Sequence, residues 1–310
     1  MAKRPMFSPP TSEKRKFGEV SLDILTDALN DLNKRNKFNI ENVSDICGSF
    51  KDRRIVESVF LLCDELGLDP VVGYNAIELL ERCMAKHLEE LMLCQKSQAT
   101  QDPSCGDKGN CEDLIFQTLK EKFFLFILSS VQIASKLDLH SNLVNNNTAM
   151  RWLQAVSYPC SKEKLLDTEI FILKTLNFDL NVPNPLMYVD TLLEVLGHND
   201  PTAPVAHLHH LCIYVLQFIY LQREPIYHSL LISATGCPSP THEQRAKFVS
   251  VTEDFMLLGV GVIAVAAFIH HISTWEKVVQ ELTGITGISG QSIMEFAYVT
   301  LMHITLIKPI

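Results

Sequence analysis

The chain lacks the short signatures by which catalytic sites usually show themselves. It has no Gly-x-Ser-x-Gly elbow, no phosphate-cradling P-loop and no His-Glu-x-x-His helix, so the expected class is non-enzymatic and no cofactor is expected. It also lacks a Cys-x-x-Cys pair, and its nine cysteines are scattered and odd in number. Cys63, Cys83 and Cys212 lie among apolar neighbours, where a reduced cysteine behaves as a small hydrophobe. The expected setting is a reducing compartment, cytosol or nucleus. No apolar run reaches the ~20 residues that a bilayer requires. The longest, Phe255 to Ile269, contains two glycines and reads as a buried core helix. The first twenty residues are polar, basic and proline-bearing, unlike a secretory leader. Net basicity is missing as well. A formal charge of −9 argues against a surface that coats phosphates, so neither direct nucleic-acid binding nor membrane contact is expected.

Strand alternation is almost absent, and helical spacing fills the chain. With 310 residues, 47% of them hydrophobic, there is enough chain for two cores. Residues 1–20 carry three prolines with Lys3-Arg4 and Lys14-Arg15-Lys16, and read as a disordered basic tail. Those lysines and arginines fit the spacing of a bipartite nuclear import signal, a pattern that also arises by chance in solvated tails. Ser8-Pro9 fits a proline-directed phosphorylation site. Ser21 opens a helix with Leu22, Leu25, Leu29 and Leu32 on one stripe, and the Asn-rich stretch 33–42 is expected to end it.

Helices then follow over Arg53 to Leu66, with Gly67 as C-cap, and over Tyr74 to Cys94. Gln95 to Asn110 reads as a loop, and Leu114 to Leu139 as a helix apolar on nearly all sides. Thr148 to Ser157 is a short helix, and Ser161 caps Lys162 to Leu176. Pro183 and Pro185 mark a hinge between halves. Beyond it helices are expected over Pro185 to Leu196, Val205 to Tyr220, Pro225 to Ser233, Phe255 to His271, Ser273 to Leu282 and Gln291 to Thr305. Ala234 to His242 reads as a loop. Each half therefore has about five helices around a buried middle one.

Two strings carry a resemblance. Ala134-Ser135-Lys136 lies about thirty residues before Glu169, which begins a run ending in Phe178-Asp179-Leu180; upstream, Glu81-Arg82 sits on the Tyr74 to Cys94 helix. Together they resemble the cyclin family, and Gly261 to Phe268 resembles the alanine-rich middle helix of a second cyclin box. The resemblance covers residues 45–305 and implies an all-α protein of two tandem five-helix cyclin-box folds. The divisions are a tail at 1–20, an N-terminal helix and linker at 21–44, a first box at 45–180 and a second at 181–306. Further strings, among them Thr191 to Gly197, Glu224-Pro225-Ile226-Tyr227 and Glu253 to Leu258, resemble a divergent meiotic branch of the family. That implies a nuclear protein on meiotic chromosomes, with a cytoplasmic pool also compatible, that matures designated crossovers in meiotic prophase. The implied partners are a cyclin-dependent kinase and meiotic recombination proteins.

Within the resemblance, Lys136 and Glu169 are the kinase-binding pair. A lysine donates to backbone carbonyls and a carboxylate accepts from amides, so the pair can cap the exposed backbone of a kinase helix. On periodicity alone, the alternative is that Lys136 snorkels from a buried helix while Glu169 caps or solvates its own. The residues nearest the cyclin substrate-docking patch are Lys51, Ile55 and Ser58, two of them polar, so docking by that route is not expected. Asp138-Leu139 replaces the acidic pair that commonly follows the lysine. The rival function is a scaffold that recruits recombination or clamp-loading factors without activating a kinase; a third is a transcription-factor-like module on DNA, which the acidic charge opposes.

Other motifs weigh less. Gly259-x-Gly261-x-x-Ala264 fits a loose dinucleotide fingerprint, but no strand-helix alternation precedes it, and small residues on a buried helix explain it better. His207-x-His209-His210 and His270-His271 lack zinc-like spacing, and adjacent histidines point to different helix faces, so no metal is expected. Cys105 and Cys111 read as exposed thiols of the Gln95 to Asn110 region.

Overall fold

Helical periodicity of the kind just described produces, in a computed structural model, thirteen α-helices and no strand among the described residues, which are 17–43, 47–99, 108–138 and 142–306. The import-signal candidates Lys3, Arg4, Lys14, Arg15 and Lys16, together with Ser8, Cys105 and Leu139, lie outside them. The described residues divide into two compact units, one within 54–182 and the other made together by those within 17–53 and 183–306.

The first unit is built from α2 (Arg53–Glu65), α3 (Pro70–Ala99), α4 (Lys108–Leu137), α5 (Asn146–Ala155) and α6 (Lys162–Thr175). Helix α4 packs against both α3 and α6, and its stretch from Leu125 to Ala134 is buried on every side. Polar Ser129, Ser130 and Gln132 are buried within it, and the two small serines let neighbouring helices close on α4. On the other side of α3, Phe60 meets Tyr74 edge-on with centroids 5.3 Å apart. Gly73 makes that approach feasible, because a Cβ there would lie 3.1 Å from the Phe60 ring.

Caps define the ends of these helices. Gly67 closes α2 at φ +65°, with Leu68 N–H bonded back to Cys63 O at 2.9 Å. Ser161 Oγ accepts from Lys164 N–H and starts α6. At the other end Asn177 and Phe178 are both left-handed, at φ +52° and +58°. Phenylalanine is an unusual occupant of that region. Its N–H bonds Leu173 O at 2.8 Å and that of Asn177 bonds Lys174 O at 2.9 Å, which satisfies carbonyls the helix end would leave open.

The second unit contains α1 (Leu22–Glu41), α7 (Pro185–Asn199), α8 (Val205–Leu221), α9 (Arg223–Thr235), α10 (His242–Thr252), α11 (Phe255–His270), α12 (Ile272–Thr286) and α13 (Gly290–Leu306). The alanine- and valine-rich α11 is its axis, packed against α7, α8, α12, α13 and α1. Gly261 stands where any side chain would collide with Phe296, its hypothetical Cβ only 2.3 Å from the ring. Gly259 also packs closely, a Cβ there lying 3.1 Å from Leu192 and 3.3 Å from Tyr188. The glycine-rich motif is therefore a packing feature in mid-helix, where no backbone amide is open to a pyrophosphate.

Several expectations need correction. The Asn-rich stretch ends the first helix only at its last member; α1 runs on to Glu41 with Asn42 as its C-cap, because Asn36 is buried and fully employed. Its side chain accepts from the N–H groups of Phe255 and Met256 at 2.9 and 3.3 Å, and donates to Asp254 Oδ1 at 2.8 Å. An asparagine that would weaken an isolated helix is here a cap for α11. Helices α3 and α4 extend into the region read as a loop, to Ala99 and from Lys108, which places Cys111 in α4. Helix α10 was not expected at all. It has no buried residue, so no apolar stripe marks it, and its signal is the capping box formed by Thr241 and Gln244. With α1 and α10 included, the second unit holds more than five helices.

Among the described residues no single helix is long and apolar enough to cross a membrane; α10 and α11 meet that composition only as a pair bent by 73°. Cys63, Cys83, Cys160, Cys212 and Cys237 form no disulfide. Burial pushes the thiols of Cys63 and Cys83 up to about 12 and that of Cys212 well above its ordinary value, as suits packing residues.

Candidate partner-binding site

Lys136 occupies the last turn of α4 and Glu169 the middle of α6. The packing of α4 on α6 brings them together, and Lys136 Nζ donates to Glu169 Oε1. The lysine side chain is 37% exposed and the carboxylate 11%. That asymmetry decides what each can do. Lys136 keeps donors free toward solvent, while Glu169 is largely covered, holds the ammonium in place and retains one further oxygen. The neighbours in sequence, Leu137 and Ile170, are exposed apolar residues.

The end of α4 is held firmly. Ser135 Oγ donates to Gln132 O at 2.9 Å and accepts from Val144 N–H at 3.1 Å. Gln132 Nε2 in turn bonds Asn146 Oδ1 in the first turn of α5. The serine of Ala134-Ser135-Lys136 thus fixes the chain that leaves the helix, and so fixes the direction of Lys136.

A second polar link joins the other resembling strings. Arg82 on α3 bonds Asp179 Oδ2 at 3.0 Å and the carbonyl of Asn181 at 3.2 Å. Partial burial would raise the Asp179 carboxyl, but the Asn181 N–H and the Arg82 guanidinium bring it below its ordinary value. These residues lie 97 positions apart, and nothing in their spacing announces the contact.

In the second unit the sequence reading missed a buried charge cluster. Glu253, 3% exposed, accepts from Lys51 Nζ at 2.8 Å and from Arg223 Nη2 at 2.5 Å; those cations are 1% and 12% exposed. Arg223 also donates to Thr252 O at 2.8 Å, and Asn39 donates to Glu253 O at 2.8 Å. Aromatic faces complete the surroundings, Phe255 beneath Lys51 at 5.5 Å and Tyr227 beneath Arg223 at 4.9 Å. Burial alone would raise the Glu253 carboxyl, yet the two cations hold it below its ordinary value. Lys51 is therefore an internal structural residue. Of the three positions nearest the docking patch, Lys51 is buried, Ile55 half-buried and Ser58 exposed. The available signal was Glu253 itself, a carboxylate two residues before the most apolar helix of the chain.

The histidines scatter. His209 Nε2 lies 3.0 Å from Asp190 Oδ1 with the Phe17 ring against it at 5.2 Å. His207 neighbours the His270 ring, and His271 caps α12. Among the described residues no group of three or more His, Cys, Asp or Glu side chains could hold a metal ion.

No family model matches the chain. Curated relatives do. The chain is 43% identical over 291 residues to the mouse cyclin N-terminal domain-containing protein 1, covering 93% of this chain and 85% of the mouse protein. It is 42% identical over 287 residues to the human protein of the same name, covering 93% of this chain and 86% of the human one.

Proposed function

Because the chain belongs to the family of cyclin N-terminal domain-containing protein 1, and so to the cyclin-like proteins, we propose that it is a non-enzymatic regulatory subunit that binds a cyclin-dependent kinase through its first unit. Under this reading residues 45–180 and 181–306 are two tandem cyclin boxes. The observation that carries it is the Lys136–Glu169 pair, positioned by a locked helix end and with hydrogen-bonding capacity to spare. A protein kinase is active only when its αC helix is swung in and completes a Lys–Glu ion pair. Lys136 would donate to the open carbonyls of that helix, Glu169 would orient the lysine and accept from an amide, and Leu137 and Ile170 would cover its apolar side. The protein would act in the nucleus on meiotic chromosomes, with meiotic recombination proteins as further partners, in the maturation of designated crossovers.

A scaffold reading is favoured by one observation. Lys51, at one of the docking-patch positions, is buried and committed to Glu253, so it is not open to a substrate motif. A cyclin that holds a kinase without presenting substrates would serve to recruit recombination factors. Reconstitution with cyclin-dependent kinases separates the two. Stable binding with raised phosphoryl transfer, both lost in Lys136→Ala/Glu169→Ala, supports the activator. Binding without activation supports the scaffold, and kinase binding that survives the double change sinks the role given to the pair.

A further inference from the structure

The loop between α9 and α10 holds Pro238-Ser239-Pro240. Apart from Ser8-Pro9 it is the one place in the sequence where a serine or threonine precedes proline. Ser239 is exposed while Pro240 after it is buried, so the turn rests on its proline and lifts the serine outward. Both carbonyls of the dipeptide are held. Cys237 Sγ donates to Ser239 O at 3.4 Å, and Arg245 Nε donates to Pro240 O at 3.3 Å. The Ser239 hydroxyl itself bonds none of the described residues. A free hydroxyl on a fixed, exposed turn, followed by a residue with no N–H, is the substrate pattern of a proline-directed kinase. Helix α10, which follows, buries no residue and lies on α9 and α1. An element with so little burial opens at low free-energy cost, so added contacts at its start change its order.

We propose that Ser239 is a phosphorylation site, taking its phosphoryl group from magnesium-bound ATP through a proline-directed kinase, and that Arg245 clamps the phosphate and so stiffens α10. The serine oxygen attacks the γ-phosphorus, the bond from that phosphorus to the bridging oxygen breaks, ADP leaves, and the hydroxyl proton passes to the catalytic aspartate of the kinase. The product carries about −1.5 to −2 charges and three acceptor oxygens. Arg245 is exposed, and its Nε already stands at the carbonyl of the next residue. Its Nη groups complete a planar fork that matches phosphate. Glu243, the acid of the first turn of α10, is paired with Lys247 at 2.8 Å, which offsets its repulsion of the new charge. The dipole of α10 acts in the same direction as Arg245. A phosphate held in this way ties the loop to the helix that follows it. Any proline-directed kinase can deliver the group, so the site does not depend on the grip of Lys136 and Glu169.

The test takes the folded full chain in a Ser8→Ala background and incubates it with magnesium and ATP. The enzyme is either a cyclin-dependent kinase carrying its own cyclin or a mitogen-activated protein kinase. Phosphopeptide mapping should find one phosphoryl group on Ser239, and Ser8→Ala/Ser239→Ala should lose it. Hydrogen exchange of the amides of residues 244–248 should slow by about 3- to 10-fold on modification. Arg245→Gln should accept the phosphate and lose most of that slowing. Circular dichroism melts check that each variant is folded; should Arg245→Gln fail to fold, the modified and unmodified Ser8→Ala proteins still decide. Ser239 left unmodified by both kinases overturns the site. A phosphate on Ser239 that leaves α10 exchange unchanged, or slows it equally in a folded Arg245→Gln, overturns the clamp.

Discussion

Glu253→Gln removes the one negative charge held between two buried cations while nearly preserving shape. Lys51 and Arg223 would lose partners at 2.8 and 2.5 Å and remain 1% and 12% exposed. Breaking a buried pair from one side costs about 3–5 kcal/mol, because the partner is left as an uncompensated charge. For a unit of this size each kcal/mol moves Tm by about 2–4 °C, so the fall should be roughly 10 °C. Lys51→Met is the informative contrast. It keeps the Glu253–Arg223 contact and exchanges a buried cation for an apolar chain, so it should cost less than Glu253→Gln. Acidity supplies a second readout. The folded Glu253 carboxyl lies below its ordinary value, so its contribution is present above the unfolded pKa near 4.3 and is lost as pH falls through the folded value. The gap between wild type and Glu253→Gln should therefore narrow under strongly acidic conditions. Differential scanning calorimetry can follow the transition of the unit that contains Glu253. A Glu253→Gln protein within about 1 kcal/mol of the wild type, below the range for a broken buried pair, or a Lys51→Met more damaging than Glu253→Gln, would refute the reasoning.

Other substitutions test the packing and the caps. Gly261→Ala drives a methyl against the Phe296 ring and should cost about 1–3 kcal/mol in chemical denaturation, the usual range for overpacking. Asn36→Ala leaves the Phe255 and Met256 amides without their side-chain acceptor; the expected loss is about 1–3 kcal/mol, with hydrogen exchange quickened at the start of α11. Ser161→Ala removes the α6 cap for about 1 kcal/mol, read as a lower denaturation midpoint for the first unit.

Where burial follows the apolar pattern, the chain could be read directly. The helices α2, α6, α8 and α11 lie within a few residues of their expected ends, since stripes, serine caps and Gly67 are local signals. What could not be read depends on distant residues. The extension of α1 through Asn36 requires the amides of α11, more than two hundred positions away. The cluster of Lys51, Arg223 and Glu253 has no local spacing, and Lys51 taken alone looks like an ordinary surface lysine. Helix α10 escaped because it buries nothing and so leaves no periodicity to find. The contact between Lys136 and Glu169 was accessible only through resemblance, because the same residues satisfy a lysine that merely reaches solvent beside an unrelated carboxylate.

The central claim is that these two side chains grip a kinase. Isothermal titration of a cyclin-dependent kinase that co-purifies with the protein, against wild type, Lys136→Ala and Glu169→Ala, measures it most directly. The account predicts a loss of about 10- to 100-fold in affinity for each change, the worth of a charge-assisted hydrogen bond, with unchanged melting of the free protein beyond the roughly 1 kcal/mol of a part-exposed pair. Equal affinities for all three proteins would contradict it.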